Sequence, residues 1–126
     1  MLVGVEPLIA IIDDDESLRT ALTGLVRSLG YRAQAYPDAE AFLAAPHTQA
    51  IACIVTDIHM PGLSGIDLRH RLAAEGVVAP VIMITGRSEP GLEARVLASG
   101  ACCLLRKPFD AGALDACIKR AVARPG

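Results

Sequence analysis

The sequence contains no tryptophan and only two tyrosines and two phenylalanines, and its 12 basic residues are scattered instead of clustered. Without a basic stripe interleaved with aromatic rings, neither the charge that holds a phosphate backbone nor the platform on which bases stack is present, so direct nucleic-acid binding by this segment is not expected. Long apolar runs are missing too. The longest span about five residues, against the roughly 20 needed to cross a bilayer, and no basic n-region followed by an apolar stretch opens the chain. The expectation is a cytoplasmic protein with no membrane association. The four cysteines, Cys53, Cys102, Cys103 and Cys117, lack CxxC spacing. A disulfide framework or thiolate metal site is therefore disfavoured, and buried free thiols are expected.

What is present points to one compact domain. The 126 residues are 52% hydrophobic and 21% charged with a net charge of −2, which supports a single core and argues against disorder. Residues 1–126 are expected to form that domain, with 122–126 either ending it or opening a linker. Five short apolar runs stand out: Leu8 to Ile12, Tyr31 to Tyr36, Ile51 to Val55, Val81 to Ile84 and Ala101 to Leu105. Four are continuously apolar, as strands buried on both faces of a parallel sheet are. The second alternates through Arg32 and Gln34 and reads as an edge strand. Between the runs lie segments of helical period. Leu18, Ala21, Leu22, Leu25, Val26 and Leu29 recur at three and four and stop at Gly30, and Leu114, Cys117, Ile118, Ala121 and Val122 repeat the pattern behind a candidate N-cap at Asp110. Weaker helices are expected over 38–45, 64–75 and 89–99. Strands alternating with helices predict an α/β fold: a doubly wound, five-stranded parallel sheet covered on both faces.

In open sheets of this kind, ligands bind outside the carboxyl ends of the strands. There the sequence places Asp13-Asp14-Asp15-Glu16 after the first run, Thr56-Asp57 after the third, Thr85-Gly86 after the fourth and Arg106-Lys107-Pro108 after the fifth. Three carboxylates that converge repel one another unless a cation joins them, and a hard divalent ion such as magnesium suits an all-oxygen set. Lys107 supplies a compact positive charge and Thr85 a hydroxyl donor, both suited to phosphoryl oxygens. A carboxylate can itself be the nucleophile that becomes an acyl phosphate. Taken singly, each residue has a plainer role, the acids as helix caps and Thr85 or Lys107 as loop residues; their joint placement at one rim is what carries the reading.

These ordered motifs, Ile-Ile-Asp13-Asp14-Asp15-Glu, Asp57-Ile-His-Met60-Pro61-Gly62-Leu-Ser-Gly65, Ile-Thr85-Gly86 and Lys107-Pro108-Phe109, resemble the CheY-like receiver domains of two-component response regulators over nearly the whole chain. The stretch Met60 to Gly65 and the 28-residue interval from Asp57 to Thr85 are most similar to the FixJ/NarL branch. The resemblance implies a (βα)5 flavodoxin-like fold with strand order 2-1-3-4-5. It implies phosphorylation of Asp57 by a sensor histidine kinase, and Asp13, Asp14, Asp57 and the His59 backbone carbonyl as ligands of magnesium, with manganese as the alternative. Thr85 and Lys107 would grip the phosphoryl oxygens, and the bond before Pro108 would be cis. It implies a signalling domain, not an enzyme in its own right, whose face of helix four, strand five and helix five, including Leu92, Arg95, Val96 and Leu104, controls a phosphorylation-dependent homodimer or a C-terminal DNA-binding effector domain outside this chain.

Two positions depart from the family pattern. Where an aromatic residue commonly moves in concert with the threonine, this chain has Leu104, which weakens the expected coupling. His59 stands two residues after Asp57, at the expected entrance to the site, either solvated there or acting on the lifetime of the phosphoryl group. Rival readings fit less well. A haloacid-dehalogenase-type phosphatase needs a second acid at position 59, a flavin mononucleotide carrier would meet four acids where it needs hydroxyls, and a receiver that signals without phosphorylation has no use for the full residue set.

Overall fold

The structure, a computed structural model, describes residues 6–47 and 50–123; residues 124–126 of the expected terminal segment lie outside them. Strands and helices alternate in the order β1 (Leu8–Ile12), α1 (Glu16–Ser28), β2 (Arg32–Tyr36), α2 (Ala39–Ala44), β3 (Cys53–Asp57), α3 (Gly65–Ala74), β4 (Val81–Thr85), α4 (Leu92–Ala98), β5 (Cys103–Arg106) and α5 (Ala111–Val122). All pairings are parallel and the strand order is β2-β1-β3-β4-β5. β2, the alternating segment, lies at one edge, and β1 and β4 are buried along their whole length. The sheet separates two cores. One packs Ile9, Ile11, Val55, Ile82 and Ile84 against α1 and α5; the other packs Ala10, Ile12, Ile54, Val81 and Met83 against α2, α3 and α4. Each fully buried isoleucine contributes about 1.5–3 kcal/mol, so the central strands form a stiff base for the loops at their ends.

Local chemistry sets the helix boundaries. Asp15, Asp38, Ser64 and Asp110 each accept a hydrogen bond from the backbone amide three residues on, satisfying donors that no helical carbonyl can reach. Ser64 and Asp67 form a reciprocal capping box. After α1 the chain turns through Gly30 at φ 97°, a left-handed conformation that glycine adopts without steric cost.

The differences from expectation have physical reasons. β3 starts two residues later than its apolar run, because its pairing with β1 begins only at Cys53, opposite Ile9, and it ends as expected at Thr56-Asp57, with Asp57 opposite Ile84. β5 likewise runs on to Arg106, opposite Thr85. α4 begins only at Leu92, behind Gly91 at φ 79° with no side-chain cap, since Pro90 and Gly91 disfavour an earlier start. The expected output face also needs correction: Leu92 and Val96 are fully buried against the sheet, because they are the apolar stripe by which this short helix is held. Arg95 and Leu97, with side chains or residues 62% and 64% exposed, are what α4 presents outward. The cysteines are free thiols, three of them buried, and burial pushes the Cys103 thiol up to about 11.

Candidate functional site

The acidic site is assembled from the carboxyl ends of β1 and β3. Asp13, just past β1, is fully buried. Its amide donates to the Tyr36 carbonyl at 3.2 Å, its Oδ1 accepts from the Asp15 amide at 2.9 Å, and its carbonyl accepts from the Arg19 guanidinium at 2.8 Å. With its backbone held at both ends, the Asp13 carboxyl has little freedom. Oδ2 is buried and has no hydrogen-bond partner among the described residues. Asp14 is exposed beside it. Asp57 ends β3 with its side chain 12% exposed, and the Lys107 ammonium lies 3.9 Å from its Oδ2. Asp13, Asp14 and Asp57 each offer a carboxylate oxygen within 4.8 Å of the others.

Electrostatics follow from that crowding. Burial raises the Asp57 carboxyl above the ordinary carboxylate value and Asp14 adds repulsion, opposed by Lys107 and by the Ile58 amide. Burial raises Asp13 as well, offset by the Asp15 amide, while Asp57 and Asp14 push in the same direction as burial. An orphaned carboxylate oxygen inside a ring of hard oxygen donors is the arrangement that a small divalent cation satisfies. The residues present therefore fit magnesium, and equally manganese.

Thr85, at the end of β4, is fully buried. Its hydroxyl is engaged within its own loop, accepting from the Arg87 amide at 3.0 Å and donating to the Arg87 carbonyl at 3.4 Å. Gripping a group on Asp57 would require this hydroxyl to turn its one proton away from the Arg87 carbonyl. Leu104 is half-buried against the second core. The Lys107–Pro108 peptide is cis. The His59 ring is not simply solvated: it is 24% exposed and its Nε2 lies 3.0 Å from Oε1 of Glu89. Glu89 also faces Arg87 at 3.8 Å and Arg95 at 4.0 Å. These side chains and Asp14 line an open cleft of 630 Å³ beside the acidic cluster. Asp15, the third acid of the run, belongs to the α1 cap and stands outside the cluster. Glu89 and Arg19 were not legible as site residues, because Glu89 reaches His59 only through the folding together of two loops 30 residues apart.

A model of the response regulator receiver domain matches residues 9–119. The chain is 37% identical over 114 residues to the transcriptional regulatory protein FixJ of Bradyrhizobium diazoefficiens, covering 90% of this chain and 56% of that protein. It is 36% identical over 104 residues to the response regulator protein TmoT of Ectopseudomonas mendocina, covering 82% and 47%. The chain thus spans about half the length of the curated relatives it matches. Among solved structures, the crystal structure of FixJ-N superposes with a TM-score of 0.88 at 29% identity, covering 96% of this chain and 97% of that one. The response regulator StyR does so with a TM-score of 0.85 at 33% identity, covering 94% and 60%.

Proposed function

The chain belongs to the response regulator receiver domain family, a family of signalling domains, and from that premise we propose that it is the phosphorylation switch of a two-component relay with Asp57 as phosphoacceptor. The observation that carries this reading is the Asp57 carboxylate at the end of the central strand, flanked by Asp13 and Asp14 and facing Lys107 at 3.9 Å. One Asp57 oxygen attacks the phosphorus of a phosphohistidine on a sensor histidine kinase; the phosphorus–nitrogen bond breaks and the imidazole leaves with the bond pair and takes up a proton. Asp13, Asp14, Asp57 and the His59 carbonyl would hold magnesium, which when bound would supply the charge neutralisation such a transfer requires. Lys107 pairs with one phosphoryl oxygen, and Thr85 exchanges its bond to Arg87 for another. The domain catalyses only its own phosphorylation from small donors and the slow loss of the group by hydrolysis.

Output runs through the face of α4, β5 and α5, where Arg95, Leu97 and the 3.9 Å pair of Arg106 with Glu93 stand exposed. Its partner is a second copy of the chain or a C-terminal DNA-binding effector domain, in keeping with relatives of whose length the chain spans about half, one of them named a transcriptional regulatory protein. No helix among the described residues is long and apolar enough to cross a membrane, and the proposed place of work is the cytoplasm. Incubation with acetyl phosphate and magnesium, followed by intact mass spectrometry, should show one phosphoryl adduct that disappears in Asp57→Asn. An undiminished adduct in that variant would overturn the assignment.

A further inference from the structure

The loop from β3 to α3, residues 58–64, carries the His59 carbonyl assigned above to the metal. At its start Ile58 and Met60 are buried in the second core. At its end the Ser64–Asp67 capping box locks it to α3. The middle is more open: Pro61 and Gly62 are exposed, and Leu63 is only partly buried against the second core. What reaches them is Glu40, one residue into α2, whose Oε2 accepts a hydrogen bond from the Leu63 amide at 3.0 Å. The backbone that carries Glu40 is anchored, because Ala39 and Phe42 are buried and Asp38 caps the helix by accepting from the Ala41 amide at 2.7 Å; the Glu40 residue itself is exposed. Gly62 has φ 77°, and a Cβ placed on it would fall onto the Glu40 carboxylate. Glycine at this position therefore serves the left-handed turn and also the close approach of Glu40.

We propose that Glu40 is a positioning residue for the phosphoacceptor site: its carboxylate clamps the loop at Leu63, so that the His59 carbonyl is held in register with Asp13, Asp14 and Asp57. The inference rests on the Asp57 reading and extends it to a residue that touches neither the metal nor the phosphoryl group. Its physical ground is that magnesium tolerates little departure from octahedral geometry, so a ligand on a wandering loop binds it less tightly. The working feature is the hydrogen bond and not the charge, which separates Glu40 from the acids of the cluster. An amide oxygen in Gln accepts from Leu63 equally well.

The experiment titrates magnesium alone against the full chain, following amide NMR shifts, and measures hydrogen exchange at Leu63 and phosphorylation by acetyl phosphate. In Glu40→Ala the magnesium Kd should rise about tenfold, Leu63 exchange should accelerate at least about tenfold, and phosphorylation at low magnesium should slow by the same factor as the Kd and recover at saturating magnesium. Glu40→Gln should restore all three to within about twofold of wild type. Wild-type magnesium affinity or wild-type Leu63 exchange in Glu40→Ala would overturn the proposal, as would a Gln variant that behaves like Ala. A wild-type chain that takes no phosphoryl group on Asp57 would instead sink the functional reading, and the Kd and exchange measurements would still judge Glu40.

Discussion

Two loops flank the acidic cluster, and they are built in opposite ways. The loop from β3 to α3 has two residues in the core, a reciprocal cap at its end and a carboxylate from α2 across its middle. The loop from β4 to α4 has every residue but Glu89 exposed and leads into a helix with no side-chain cap. Its tertiary ties are a hydrogen bond between Glu89 and His59 and an ion pair of Glu89 with Arg95. Exposed ion pairs contribute about 0–1 kcal/mol each, whereas a cap contributes about 1 kcal/mol and a buried apolar side chain more. One side of the site is held as a template and the other is held loosely enough to be exchanged. Thr85 is on the loose side, with its hydroxyl spent on its own loop. A phosphoryl group that recruits Thr85 would thereby compete against weak bonds, which is how a modest differential affinity shifts a two-state equilibrium.

The sharpest way to break this contrast is at Gly65. A Cβ there would sit 2.6 Å from the Asp57 backbone carbonyl oxygen, and neither backbone segment can yield, so Gly65→Ala should cost about 3 kcal/mol by overpacking. Urea denaturation of the metal-free chain reads this directly, and a loss under about 1 kcal/mol would show that the template side is softer than its contacts indicate.

Next in size is the pH response. Asp13 and Asp57 both have their pKa raised by burial, so the folded chain keeps these protons to higher pH than the unfolded chain does. The stability they contribute is full below the ordinary carboxylate value and is lost as pH rises through their folded-state values. The metal-free chain should therefore be less stable at neutral pH than these two groups would allow in mild acid. Asp13→Asn should flatten that slope and stabilise the metal-free chain at pH 7 by about 1 kcal/mol, while removing most of the stabilisation that magnesium confers on wild type. Thermal unfolding across pH, with and without magnesium, checks both halves, and a destabilised metal-free Asn variant would contradict the electrostatic account.

Removing the cap in Ser64→Ala should cost about 1 kcal/mol, measured by the same denaturation. The corresponding cut on the other side, Glu89→Ala, should cost under about 0.5 kcal/mol yet move the amide shifts of residues 86–95 toward those of the chain treated with beryllofluoride. Equal stability losses in the two variants would erase the distinction between the loops. The smallest effect is expected at Leu104: with no ring and no hydrogen bond to exchange, Leu104→Ala should leave the extent of Asp57 phosphorylation within about twofold, whereas Thr85→Ala should abolish the response of α4 to beryllofluoride. A silent Thr85 variant beside a responsive defect at Leu104 would place the switch at Leu104.

Much of this was readable before folding. Apolar runs marked every strand within a few residues, and the caps Asp38, Ser64 and Asp110 stand where the helix starts were expected. Reading failed where a ladder or a packed face decides. Ile51 and Ala52 belong to the third apolar run, yet the ladder takes the chain in only at Cys53, opposite Ile9. Leu92 and Val96 were assigned to an outer face, and packing turned them inward. His59 was expected at the entrance, but nothing near it in sequence named Glu89 as its partner.

By itself the sequence determined the alternation of strand and helix and the chemistry at each strand end, because hydrophobic period and capping residues act over a few positions. Tertiary structure alone decided which Asp13 oxygen is left without a partner, that Thr85 is occupied by Arg87, and that Glu40 and Glu89 reach loops 23 and 30 residues away. Those contacts depend on the angles and offsets at which separate elements pack on the sheet, and no local spacing encodes such distances.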